Sequence, residues 1–278
     1  MTAIDYEAEY NNRARVPEHV EIMERWQMLS AAYRLASTPE NDRPYGGKER
    51  QRYDLFVANS GSAPLVVYIH GGYWQRGDRK DFSFIARELN ANGITVAIPS
   101  YTLAPAASVM EIIDEMALCL VTLWKKLRRR PLVIGHSAGG HLSAAMLANE
   151  WGRVAGVPAD LVRAAYGLSG VYDLAPLIGT SLNQALYLSA GISRAASPMF
   201  RPAPAKGRRF VAAVGGDESA EFLRQSREIA RTWEKAGLIT ENVVVPGANH
   251  FTILDELIRP GSPVLTRITE LARDVDGG

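Results

Sequence analysis

The chain has 278 residues, 47% of them hydrophobic, with 31 basic against 30 acidic side chains and a formal net charge of +1. That length and apolar content support a full buried core and suit one α/β domain. The balanced charge, with no long basic stripe, excludes a surface built to track a phosphate backbone, so nucleic acid is not an expected partner.

The first twenty residues carry Asp5, Glu7, Glu9, Arg13 and Arg15 with no apolar core between them, and no later run is long enough to cross a bilayer. A cytoplasmic protein without a membrane partner is therefore expected, and Cys119, alone in an apolar helical stretch, reads as a buried thiol. From Pro17 to Ser37 the pattern is helical, with Val20, Met23, Met28, Leu29, Tyr33 and Leu35 broadly on one side, and the polar segment Thr38 to Arg50 ends it. Residues 1–45 thus read as an N-terminal helical extension. Apolar, β-branched runs follow at Tyr53 to Ala58, Leu65 to Ile69, Ile94 to Ile98, Leu132 to Ile134, Arg163 to Leu168, Phe210 to Val214 and Val243 to Val245. Helical patterns at Phe82 to Asn90, Val109 to Leu127, Ala138 to Asn149, Glu221 to Lys235 and Val264 to Ala272 separate most of them. Strands alternating with helices imply right-handed crossovers, a mostly parallel sheet and an α/β fold in a single domain over 1–278. Asp173 to Arg194 fits neither pattern and reads as a small cap insertion over the carboxyl ends of the strands. The basic run Arg128 to Arg130 closes a helix just before Pro131, where cations suit the negative end of the macrodipole.

The chemistry starts at Gly135-His136-Ser137-Ala138-Gly139, a G-x-S-x-G turn between a short apolar strand and a helix. A serine hydroxyl becomes a useful nucleophile only when exposed beside a base, and a tight strand-to-helix turn presents it at the sheet edge. His70-Gly71-Gly72-Tyr73-Trp74 follows the Leu65 strand and offers backbone N–H groups to a developing oxyanion; Gly72, Tyr73 and Ala138 are the expected donors, with His70 fixing the loop. The chain order serine, acid, histidine leaves His141 and His250 as bases, because His19, His70 and His136 precede Ser137. His141 is fixed below the nucleophile on the same helix, whereas His250 lies in the loop after the Val243 strand, so His250 is the expected base. The acid should follow the Phe210 strand, where Asp217 and Glu218 are adjacent and only one can face the imidazole. Tyr73, Trp74, Tyr172 and Phe251 flank these motifs and are candidates for an aromatic substrate pocket. No cluster has metal-ligand spacing, and this chemistry calls for neither a metal nor an organic cofactor.

HGGYW at 70–74, GHSAGGHL at 135–142, SGVYDL at 169–174, ESAEFLRQS at 218–226 and NHF at 249–251 together resemble the arylformamidase (kynurenine formamidase) branch of the α/β-hydrolases, as does the opening YNNRARVPEH at 10–19. Tyr101 to Pro105 further resembles the Y-R-L-A-P segment of the hormone-sensitive-lipase-like esterases, with Thr102 in place of Arg. The resemblance implies the α/β-hydrolase fold and a small-molecule substrate such as N-formyl-kynurenine. Counted from Phe222 and Gln225, it places the acid at Glu218, a departure from the family's Asp that keeps Asp217 as the alternative. A carboxylesterase acting on short acyl or aryl esters is the second reading, and a non-catalytic ligand-binding homologue the third.

Overall fold

The computed structural model describes residues 4–58 and 62–276. Eight strands form one sheet: β1 (Glu40–Pro44), β2 (Arg52–Phe56), β3 (Leu65–Ile69), β4 (Thr95–Pro99), β5 (Pro131–His136), β6 (Ala164–Leu168), β7 (Arg209–Gly215) and β8 (Ile239–Val245). Their order is β1-β2-β4-β3-β5-β6-β7-β8, antiparallel across the first two pairings and parallel thereafter. The helices are α1 (Tyr6–Tyr10), α2 (Asn12–Arg15), α3 (His19–Ser37), α4 (Ala86–Ala91), α5 (Val109–Leu127), α6 (Ala138–Leu147), α7 (Asn183–Leu186), α8 (Ala190–Ala196), α9 (Ala220–Lys235) and α10 (Pro263–Asp276).

The central strands β3, β5 and β6 are buried throughout and mostly apolar because both faces of the sheet are covered. Side chains alternate between two cores: Leu65, Val67, Ile69 and Val133 join the layer of α5, α6 and α9, while Val66, Tyr68, Leu132 and Ile134 join that of α3, α4 and α10. Helix α5 begins with a capping box in which Ser108 and Glu111 satisfy each other's backbone N–H groups, and Cys119 is buried on its inner face. None of the described helices is long and apolar enough to cross a membrane.

Three local expectations change. The polar segment after α3 contains a strand, β1, which pairs with β2 through an irregular register between Glu40 and Arg43. As an edge strand it carries exposed polar side chains and so lacks any hydrophobic period. The helix pattern over Phe82 to Asn90 divides into a 3-10 segment, Arg79–Ile85, followed by α4. Helix α3 buries Ile22, Trp26 and Ser30, spaced four apart, and leaves Val20, Met28 and Leu35 exposed. Trp26 sets that rotation: its indole meets Phe82, Phe84 and Phe251 at ring centroid distances of 5.8, 5.9 and 6.1 Å. The Ser30 hydroxyl donates to the Asp81 carbonyl at 2.8 Å and accepts from the Phe84 N–H at 3.2 Å.

Below that helix lies a buried charge cluster on Asp54 of β2. Its carboxylate accepts from Arg34 at 2.5 Å, from Arg79 at 3.2 Å and from the Asp42 N–H at 2.7 Å. Asp54→Asn removes the one buried carboxylate shared by Arg34 and Arg79, and although Arg79 keeps Asp42 and Asp78 nearby, breaking a buried pair costs about 3–5 kcal/mol. Urea unfolding should register that loss; a change of less than about 1 kcal/mol would mean that α3 is held on the sheet by its aromatic contacts alone.

Candidate active site

Strand β5 ends at His136, and the chain turns through Ser137 into α6. Ser137 has φ 56° and ψ −117°, a conformation costly for any residue with a side chain and held only by its surroundings. Its N–H donates to the Leu168 carbonyl of β6 at 2.8 Å, and its carbonyl accepts from the His141 N–H at 3.1 Å. The turn is packed so tightly that a Cβ at Gly139 would lie 1.9 Å from the Ile69 carbonyl oxygen. Only glycine fits there.

The loop after β3 runs alongside. A Cβ on Gly71 would sit 3.0 Å from the Ser137 Cβ, and Gly72, Tyr73 and Trp74 all take positive φ, at 110°, 50° and 57°. The Gly72 carbonyl accepts from the N–H groups of Gln75 and Arg76, closing a tight turn. The N–H groups of Gly72, Tyr73 and Ala138 find no acceptor among the described residues, and unpaired backbone donors close to a serine are what an oxyanion requires. His70 braces the loop from below. Its ring stacks on Tyr101 at 4.5 Å, its Nδ1–H donates to the Gly71 carbonyl at 2.8 Å, and burial pushes its pKa down to about 4.

Beyond β8, His250 lies at the wall of the same cavity as Ser137, Gly71, Gly72 and Tyr73. Its Nδ1–H donates to Glu218 Oε2 at 2.7 Å, which fixes the tautomer and leaves Nε2 as the lone-pair nitrogen. The other carboxylate oxygen, Oε1, accepts from the Ser169 hydroxyl at 2.5 Å and the Gly215 N–H at 2.8 Å. Asp217 is exposed, and its N–H donates to the Ala248 carbonyl. Glu218, not Asp217, is therefore the carboxylate that faces the imidazole. His250 is also held from its backbone side, where its carbonyl accepts the Nε2–H of His136 at 2.7 Å. His136 is fully buried, and burial followed by the nearby His250 keeps its pKa well below the usual histidine range. His141 donates from Nε2 to the Ala196 carbonyl at 2.8 Å, lies edge-on to Trp74, and is absent from the cavity wall.

The cavity has a volume of about 310 Å³, within the range of small-molecule sites. Of the aromatic candidates, Tyr73 and Phe251 line it, whereas Trp74 and Tyr172 do not. Trp74 is fully buried against His141, and Tyr172 packs edge-on to Phe210 under Gly167 and Gly170, so both rings serve the core. The segment read as a cap, 173–194, supplies only Thr180, Ser181 and Leu182, directly after a 3-10 turn that ends at Gly179. Most of the cover is the N-terminal extension, through residues such as Tyr10, Asn12, Arg13, Met23 and Trp26. That cover is pinned by polar contacts. Tyr73 donates its hydroxyl to the Tyr10 carbonyl at 2.7 Å and accepts from Asn12 at 3.2 Å. Tyr10 donates to Glu221 at 2.9 Å and accepts from Gln225, whose own carbonyl oxygen takes the N–H groups of Tyr172 and Asp173. The sequence carries no signal for the contacts of Tyr10, Asn12, Ser169, Glu221 and Gln225, which join segments far apart in the chain. Among the described residues, no group of three or more His, Cys, Asp or Glu is gathered to hold a metal ion.

A serine on a strained strand-to-helix turn, unpaired N–H groups beside it, and a carboxylate-bound histidine on one cavity wall are the parts that serine hydrolysis requires. Residues 66–254 match the family described as alpha/beta hydrolase fold. The chain belongs to the α/β-hydrolase family, in its arylformamidase-like branch, and it is a hydrolase. It is 30% identical over 225 residues to a kynurenine formamidase of Danio rerio, covering 78% of this chain and 76% of that one. An isoprenylcysteine alpha-carbonyl methylesterase of Arabidopsis thaliana is 25% identical over 62% of this chain and 43% of its own. A solved structure of a thioesterase candidate from Silicibacter sp. tm1040 superposes with a TM-score of 0.88 at 27% identity, covering 96% of this chain and 100% of that one.

Proposed function

We propose that the protein hydrolyses an aryl formamide of the N-formyl-kynurenine type, with Ser137 as nucleophile, His250 as general base and Glu218 as the acid that orients it. The observation that carries this reading is the 2.7 Å bond from His250 Nδ1 to Glu218, made on the cavity wall that also holds Ser137. It leaves Nε2 able to take the serine proton. Ser137 Oγ then bonds to the formyl carbon, and the oxyanion is held by the N–H groups of Gly72, Tyr73 and Ala138. His250 Nε2 returns the proton to the leaving aryl amine as the C–N bond breaks, giving a formyl-enzyme. Water, deprotonated by His250, repeats the sequence and releases formate.

The formamide substrate is supported by the kynurenine formamidase relatives, which match about three quarters of the chain, and by a covered cavity of aryl dimensions. The methylesterase relative favours a carboxylesterase as the second reading. Steady-state assays separate them: kcat/KM for N-formyl-kynurenine should exceed that for p-nitrophenyl acetate and butyrate. Rapid ester turnover with negligible formamide hydrolysis would reject the formamidase. A fluorophosphonate probe should label the native protein and fail to label Ser137→Ala; a folded wild type that resists labelling would instead indicate a binding protein.

A further inference from the structure

Two guanidinium groups on the cavity wall take no part in that reaction. Arg13 comes from α2, and Arg76 from the turn closed by the Gly72 carbonyl; both line the cavity that holds Ser137. Many other arginines are paired, as Arg25 is with Asp255, Arg224 with Glu221 and Arg267 with Glu241. Arg13 and Arg76 have neither an ion-pair partner nor a side-chain hydrogen bond among the described residues. Both line one cavity, and partial burial, followed by the charge of Arg76, pulls the Arg13 pKa below its ordinary value.

Neither carboxylate on the wall is paired with them. Glu7 spends both oxygens on Ser181, accepting from its N–H and its hydroxyl at 2.7 Å each. Asp81 is approached by the Gln27 side chain at 3.5 Å, and burial followed by Asp78 raises its pKa, which disfavours its charge. Two like charges held over a partly closed cavity repel, and an anion between them relieves the repulsion while gaining charge-assisted hydrogen bonds. A guanidinium's planar fork suits a carboxylate in particular.

We propose that Arg13 and Arg76 bind a carboxylate borne by the leaving-group half of the substrate. This rests on the reading of Ser137 as nucleophile toward a small acyl group: a formyl or acetyl group fills little of the cavity, so the rest of the substrate extends toward the arginines. The pair then acts as a specificity element, favouring anionic aryl amides and esters over neutral ones of equal shape.

The test uses two acetates, 3-(3-acetoxyphenyl)propanoate and its methyl ester, with the full-length protein. Wild type should turn over the acid with a kcat/KM at least about tenfold above that of the ester, mostly through KM, and the ratio should shrink as salt rises. Arg13→Gln with Arg76→Gln should bring the ratio to near one, while Arg13→Lys with Arg76→Lys should keep part of it. Calorimetry with 3-phenylpropanoate and 3-phenylpropanol reads the same preference without turnover. Equal kcat/KM for acid and ester in wild type, or a preference that survives in the double Gln variant, would overturn the anion site. Tight, arginine-dependent binding of the carboxylate with no hydrolysis of either acetate would uphold the anion site and reject the Ser137 reading.

Discussion

Replacing Glu218 by Gln should lower kcat by about 10⁴-fold while leaving the fold intact, and Asp217→Asn should change it by less than about twofold. The size of the first effect follows from what the carboxylate does for His250. Glu218 Oε2 accepts the Nδ1–H at 2.7 Å, so the ring must carry its proton on Nδ1 and its lone pair on Nε2. An amide nitrogen at that position donates instead. The imidazole then flips to the opposite tautomer, with Nδ1 accepting and Nε2 protonated, and it cannot take the proton of Ser137. The Gln carbonyl oxygen can still accept from Ser169 and the Gly215 N–H, which keeps the turn after β7 closed. A folded but inactive variant is thus expected rather than an unfolded one. The Asp217 side chain is exposed at the tip of that turn, where an isosteric amide changes only a surface charge. Kinetics on N-formyl-kynurenine, or on whichever ester proves the better substrate, check both variants. Loss of activity in Asp217→Asn with retention in Glu218→Gln would transfer the role to Asp217.

The parts of the molecule that could be read from the sequence are those whose signal is local. Strands β3 and β5 announce themselves because both of their faces are buried, which makes Leu65 to Ile69 and Leu132 to Ile134 unbroken apolar runs. The turn at Ser137 is legible because glycine is the only residue that fits at 139, so steric need is written directly into the motif. Strand β1 is silent because its order comes from pairing and from Asp54, and its sequence, Glu-Asn-Asp-Arg-Pro, has no apolar face. Choosing between Glu218 and Asp217 needs the direction of two neighbouring side chains, which spacing does not encode. Trp74 and Tyr172 differ from expectation for another reason: a ring beside such a motif has two sides to face, and both turn inward to the core. The cover over the cavity was the least visible feature. It depends on contacts such as Tyr10 to Glu221, 211 residues apart, in which each partner alone is an unremarkable polar side chain.

Stability should fall steeply as pH is lowered from about 6.5 toward 4, and three buried histidines, His70, His136 and His141, are the cause. His70 and His141 have pKa values pushed down to about 4, and His136 lies well below the ordinary value, in each case chiefly through burial. In the unfolded chain all three titrate near 6.5. Between those values the unfolded state binds protons that the folded state refuses, so the equilibrium shifts toward unfolding as pH falls. Each histidine adds up to about 1.4 kcal/mol per pH unit, or about 3 kcal/mol for His70 or His141 across the window. Together that rivals the whole stability of a typical domain. His141 offers the clean control. It donates from Nε2 to the Ala196 carbonyl, a bond that a Gln side chain can also make without ever becoming charged. His141→Gln should lose some stability at pH 7 through its poorer contact with Trp74, yet its stability should decline more gently with acid, by about 1 kcal/mol less per pH unit. Urea unfolding at intervals from pH 7 to 4.5 would show the two curves converging; parallel curves would mean that His141 takes its proton in the folded state as readily as in the unfolded one.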